Sequence, residues 1–231
     1  MELKVIAPTA LTIGNLLSGF LSLVHTAQGR PTSAAWWIIL AWLLDGLDGQ
    51  VARMVRSSTR FGAELDSLAD LSSFGLAPAL LIYRHWLHRM GMLGAGVTFL
   101  FFVCGALRLA RFNAQRRTAD KENFSGLPIP AAAWMLASYV LFPEEGPWWV
   151  VPGLAVVAAG LMLAPLEYDA MCFPLKGAWG KVKVGLFVAG AAFILSFPIY
   201  ALFPLSLVYL ASGPVRGLIL KSGFVPRPGR R

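Results

Sequence analysis

Five of the twelve acidic residues fall between positions 45 and 70: Asp45, Asp48, Glu64, Asp66 and Asp70. Asp45 and Asp48 are three apart, and Gly62, Asp66 and Asp70 recur every four residues. On α-helices each set shares one face, so four aspartates can converge while Glu64 points elsewhere. Carboxylates with no neighbouring His or Cys suit hard, oxygen-seeking cations, Mg2+ or Mn2+ and not zinc. Two such ions held between the four aspartates would clamp a pyrophosphate and stabilise both its attacking and its leaving oxygen. Gly49, Ala52 and Gly62 lie on the same stripes and carry little bulk, which lets a ligand approach the backbone. Two other readings stay open at this level. The aspartates could pair with arginines to pin helices together, or they could line an ion pathway in a channel or transporter.

The elements that must carry these groups follow from composition. The chain has 231 residues, of which 57% are hydrophobic and 14% charged, and its mean hydropathy is +0.63. A typical soluble domain is about 25% charged, so a water-soluble globule lacks the polar surface to cover it. Disorder is excluded by the same figures. The expected fold class is all-α, a polytopic transmembrane helical bundle. A span needs about 20 apolar residues, and such runs occupy 6–27, 33–56, 63–87, 91–112, 128–143, 147–166, 183–199 and 200–216. That makes about eight spans. Six or seven are alternatives, because Pro198 and Pro204 leave the last two runs readable as one kinked segment. Residues 1–220 then form one membrane domain, followed by a flexible basic tail over 221–231.

Charge gives the orientation. The net charge is +8, and seventeen of the twenty Lys and Arg fall on one side of the predicted topology, with only Arg30, Arg84 and Arg89 on the other. By the positive-inside rule both termini face the cytoplasm, in a cell (inner) membrane. The basic excess therefore marks a membrane face and contact with anionic lipid, not nucleic acid. On this topology Asp45 stands eleven residues inside Arg56, a depth of ~16 Å. Placing an aspartate at a helix centre costs roughly 2.5–3.5 kcal/mol, so four facing lipid would cost on the order of 10 kcal/mol. They must instead face a wet cavity or a cation. Trp36, Trp37, Trp86, Trp148 and Trp149 gather near span ends as an interfacial belt.

Residues 45–70 read D-G-L-D-G-Q-V-A-R-x8-G-A-E-L-D-S-L-A-D. This resembles the motif of the CDP-alcohol phosphotransferase superfamily, D-x-x-D-G-x-x-A-R-x8-G-x3-D-x3-D, at every fixed position. The resemblance implies that Asp45, Asp48, Asp66 and Asp70 bind two divalent metals. It implies that Gly49, Ala52, Arg53 and Gly62 shape the site for the CDP moiety, and that Asp70 takes the proton of the acceptor hydroxyl. It also implies a homodimer.

Four further stretches are similar to the integral-membrane phosphatidylserine synthases of bacteria and archaea. They are Pro8–Asn15, with Thr9 where an Asn is frequent, Ser72–Pro78, Arg108–Asn113 and Phe124–Pro130. The resemblance covers roughly residues 8–135, which would be the catalytic core. It implies a reaction of CDP-diacylglycerol with L-serine that gives phosphatidylserine and CMP. Glycerol-3-phosphate or inositol as acceptor, and CDP-archaeol as donor, remain within the superfamily. A serine carboxylate calls for an arginine. Arg108 and Arg111, three apart at the end of the fourth span, are candidates for that carboxylate or for the lipid phosphates, with Asn113 beside them. The alternative is that they simply anchor the helix end. Ser73, three residues past Asp70, is a candidate substrate contact or a helix-packing serine.

Overall fold

The computed structural model describes residues 3–55, 60–117, 126–142, 147–166, 168 and 198–221. Every regular element among them is helical. Helix α1 spans Leu3–Ala27 and α2 Pro31–Val55. Helix α3 (Arg60–Asp70) runs through a π turn (Leu71–Leu76) into α4 (Ala77–His85). After a 3-10 turn come α5 (Met92–Arg117), α6 (Ile129–Leu141), α7 (Val150–Leu163) and α8 (Pro198–Lys221).

Among the described residues, three stretches are long and apolar enough to cross a bilayer: Thr9–Ala27, Phe61–His85 and Met92–Gln115. They coincide with the first, third and fourth expected spans. The second expected span is also one helix, α2, 25 residues long, but Asp45 and Asp48 dilute its apolar character. The expected span at 183–199 lies almost wholly outside the described residues, as do residues 222–231 of the tail.

Helices α6 and α7, with 13 and 14 residues, are shorter than the runs 128–143 and 147–166 that hydropathy suggests. Each stops for the same reason. Phe142 precedes Pro143 and Ala164 precedes Pro165, and both adopt extended backbone with ψ of 128° and 143°. A residue before proline is pushed out of the helical region by the pyrrolidine ring. At the other end of α6, Pro128 and Pro130 open the helix, where amides lack partners in any case. The turn before it is fixed by Gly126, which has φ +56° and donates its N–H to the Leu166 carbonyl at 2.9 Å.

Helices α1 and α2 make the most extensive pairing, and the α3–π–α4 rod packs between α1 and α5. Helix α6 fills the centre against α2 and α8, with Ala131, Ala132, Ala133 and Ala137 all buried. Such small residues let helix backbones approach closely, as packing in lipid requires. Ile38, Phe74, Leu81, Phe101, Met135 and Met162 complete the core. Trp86 departs from the expected interfacial belt. It is 5% exposed, with its ring 5.5 Å from that of Tyr139.

The π turn follows Asp70 directly. Pro78 has no N–H to offer the Phe74 carbonyl, so the α pattern cannot continue through it. The helix widens there, and Ala77 N–H bonds back to Ser72 O. π turns of this kind recur at functional sites.

Candidate active site and metal centre

Helix α2 carries Asp45 and Asp48 one turn apart, and the last turn of α3 carries Asp66 and Asp70. Asp45, Asp66 and Asp70 each present an oxygen within 4.8 Å of the others. Asp48 is buried, 7% exposed, but stands outside that triplet, and its carboxylate accepts a hydrogen bond from Thr12 Oγ1 of α1. Asp70, 9% exposed, accepts one from Asn15 Nδ2, also of α1, at 3.3 Å. Two residues of the first helix thus hold one carboxylate on each of the next two.

Helix α5 contributes the cation. The Arg108 guanidinium lies within electrostatic range of Asp70 and Asp45, with its Cζ 5.8 Å from the centre of the Phe112 ring. Arg111, one turn further on, is exposed. The fold therefore separates two arginines that look equivalent in sequence, and Arg108 is the one turned to the aspartates. Asn113 reaches α3 instead, donating Nδ2 to Ser67 Oγ at 2.9 Å. It ties the ends of α3 and α5 together beside Asp66.

Ser73 does not line the triplet. It is fully buried and donates its hydroxyl to the Asn15 carbonyl at 3.0 Å. The spacing argument fails here because the π turn packs more residues into each turn, which rotates Ser73 from the carboxylate face onto α1. Gly19 accommodates it: a Cβ there would come within 2.8 Å of Ser73 Cα.

Gly49 is exposed, and a Cβ on it would meet nothing within 4 Å. Among the described residues no contact requires a glycine there, so the open space beside it is available to a ligand. Gly62 is half-buried on the first turn of α3. Ala52 and Arg53 lie on α2, with side chains outside the described residues, and Arg56 is outside them altogether.

The donor set fits a hard divalent cation. It consists of carboxylate oxygens only, brought close enough for one ion to bridge them. Carboxylates packed this closely repel one another, and desolvation adds to the cost, which Arg108 offsets in part. Asp45, Asp66 and Asp70 would hold the ion, with Asp48 adjacent.

Thr12 and Asn15 contact the carboxylates of the cluster, and the spacing argument passed over them. Their signal was present: Thr12, Asn15, Ser18, Ser22 and Thr26 form a buried polar stripe along an otherwise apolar helix, and intramembrane polar groups face protein interiors.

Comparison with known proteins gives a consistent result. Residues 5–166 match the family model described as CDP-alcohol phosphatidyltransferase. A CDP-diacylglycerol–serine O-phosphatidyltransferase of Helicobacter pylori is 33% identical over 219 residues, covering 92% of this chain and 91% of its own. One from Methanocaldococcus jannaschii is 31% identical, covering 89% and 91% respectively. An archaetidylserine synthase of Methanothermobacter thermautotrophicus is 37% identical over 166 residues, covering 70% of this chain and 68% of its own.

Proposed function

Since the chain belongs to the CDP-alcohol phosphatidyltransferase family, we propose that it moves the phosphatidyl group of CDP-diacylglycerol onto the hydroxyl of L-serine. The products are phosphatidylserine and CMP. Among its relatives are two named for serine transfer from CDP-diacylglycerol and one named archaetidylserine synthase, so serine is the shared acceptor. A CDP-archaeol donor would alter only the lipid walls.

One observation carries the acceptor. Asp70 is flanked by Arg108, whose buried Nε has no hydrogen-bond partner among the described residues, and by Asn15, whose buried Oδ1 has none there either. An unpaired donor and an unpaired acceptor on either side of a base suit a zwitterion. The serine carboxylate goes to Arg108 and its ammonium to Asn15, with the hydroxyl at Asp70. Glycerol-3-phosphate brings no ammonium for the Asn15 oxygen and inositol no anion for the Arg108 cation, so serine alone of the three matches both with charged groups.

In this reading Asp70 accepts the serine hydroxyl proton, held in place by the Asn15 amide. The serine oxygen attacks the phosphorus bearing diacylglycerol. The P–O bond to the cytidylyl phosphate breaks, and CMP carries away that oxygen and its electron pair. Divalent Mg2+ or Mn2+, two ions if Asp48 joins the triplet, would neutralise the pyrophosphate charge and polarise the hydroxyl when bound. Orienting the nucleophile reduces the demand on the basicity of Asp70. The cavity opens to the cytoplasm, where serine and CMP exchange, while the acyl chains stay in lipid. Eight spans with both termini cytoplasmic complete the topology.

The test uses purified protein in lipid vesicles with CDP-diacylglycerol, a divalent metal and each acceptor in turn. CMP and phosphatidylserine should form with serine alone. Product from glycerol-3-phosphate or inositol would overturn the acceptor assignment. Metal flux without CMP release would overturn the enzyme itself.

A further inference from the structure

Residues 126–129, which lead into α6, are fastened to the end of α7 through their backbone. Gly126 N–H donates to the Leu166 carbonyl and Leu127 N–H to the Leu161 carbonyl, both at 2.9 Å. The two segments approach so closely that a Cβ on Gly126 would collide with the Met162 carbonyl oxygen. Leu127, Ile129 and Met162 are fully buried. The start of α6 is thus clamped onto α7 before the helix begins.

From this clamp Ile129 reaches α5. A Cβ on Gly105 would lie 2.6 Å from Ile129 Cδ1 and 3.8 Å from Met162 Sδ. The absent side chain at Gly105 therefore makes the notch that Ile129 fills. Gly105 is buried and stands three residues before Arg108, a neighbouring position on the same helix. Arg108 is half-buried, and its Nε has no hydrogen-bond partner among the described residues. The Phe112 ring, with its centre 5.8 Å from Arg108 Cζ, belongs to the same helix. The place of the guanidinium then follows the place of α5, which the seating of Ile129 against Gly105 sets.

A guanidinium recognises a carboxylate through a planar fork, so its placement matters as much as its charge. We propose that Ile129, held by the clamp on α7 and seated in the Gly105 notch, is a positioning residue that fixes α5 and so brings Arg108 to the acceptor carboxylate. The stretch 124–130 then serves acceptor affinity from outside the reacting centre. Ile129 touches no reacting atom. The inference rests on the reading of Arg108 as the carboxylate-binding group.

Gly105→Ala overfills the notch and should displace α5. The serine KM should rise about tenfold, the size of an ordinary overpacking penalty. The KM for CDP-diacylglycerol should not change, because the aspartates lie on α2 and α3. Gly105→Ala/Ile129→Val removes the colliding Cδ1 and should restore the wild-type serine KM. If Gly105→Ala does not fold, Ile129→Ala takes its place, since it withdraws the brace and should raise the serine KM selectively. An unchanged serine KM, or a parallel rise for both substrates, would overturn the proposal. So would failure of Ile129→Val to rescue Gly105→Ala. Arg108→Ala separates the two levels. If it leaves the serine KM unchanged, the reading of Arg108 falls and the role of Ile129 with it. If it raises the serine KM while Gly105→Ala is silent, only the role of Ile129 falls.

Discussion

Asn15 Nδ2 donates to Asp70 Oδ1 at 3.3 Å, joining residues 55 positions apart on α1 and α3. The Asn15 backbone takes part as well, since its carbonyl accepts the Ser73 hydroxyl three residues past Asp70. The first helix therefore grips the third on both sides of the point where the α pattern gives way to the π turn. A carboxylate held by a packed neighbour keeps its geometry without help from solvent, which a base acting on a positioned hydroxyl requires.

Asn15→Ala should accordingly slow turnover more than it weakens binding of the lipid donor. A hydrogen bond to a charged group contributes ~1.5–3 kcal/mol, so kcat should fall about 10- to 100-fold, with the KM for CDP-diacylglycerol little changed. Asn15→Asp should be worse, because a second carboxylate then faces Asp70. Steady-state CMP release at saturating serine measures both. Wild-type kcat in Asn15→Ala would remove Asn15 from the site.

Asp70→Asn tests the proposed role of Asp70 as the base. The amide keeps the volume and can still meet Asn15, but it cannot take a proton. Turnover should fall by at least about 100-fold, the usual contribution of a positioned general base, while the detergent-solubilised protein elutes and melts as wild type does. Retained activity would assign proton removal to another group.

The carboxylate stripe was legible because ionised groups in an apolar run have few places to go, and helical periodicity showed which of them share a face. The rest depended on contacts between distant segments. Thr12 and Asn15 act on partners 36 and 55 residues away, and nothing in their own segment names those partners. Arg108 and Arg111 are indistinguishable until packing half-buries one and exposes the other. Ser73 was placed on the carboxylate face by counting in α-turns, and the π turn at Leu71–Leu76 invalidates the count. Its cause, Pro78, was visible in the sequence, although a proline there signals a disturbance without giving its form. The short lengths of α6 and α7 could have been read from Pro143 and Pro165, which hydropathy ignores.

Gly19→Ala should damage the protein through that π turn. The added methyl group would press on Ser73 Cα, which is backbone and cannot rotate away. Overpacking of this kind costs ~1–3 kcal/mol, so the melting temperature should drop and activity should fall with it as Asp70 shifts. Ser73→Ala removes one interhelical hydrogen bond, a loss of about 0.6 kcal/mol in a membrane protein, and should be much milder. Equal stability of the two variants would show that the close approach is not tight.

Divalent metal should stabilise the folded protein independently of substrate. Asp45, Asp66 and Asp70 repel one another at the distances observed, and a bound cation removes that repulsion. Ligand at 100 times its Kd adds ~2.7 kcal/mol, enough to read as a rise in melting temperature when Mg2+ or Mn2+ is titrated into chelator-treated protein. Asp66→Asn should abolish the rise while melting higher than wild type in the absence of metal, because one repelling charge is gone. An unchanged metal response in Asp66→Asn would exclude the triplet as the metal centre.

Topology can be tested through charge. Seventeen of twenty basic residues assigned to one face predict that reporters fused at the two termini and inserted after Arg117 all report the cytoplasm, and that one inserted near Glu144 reports the opposite side. The proposed reaction calls for this arrangement, with α2, α3 and α5 presenting Asp48, Asp70 and Arg108 toward the compartment that holds serine. Agreement of the two termini would require an even number of spans and so make seven untenable. Opposite locations would leave the α1–α5 site intact and place the error after α7, in the stretch that contains the expected span at 183–199.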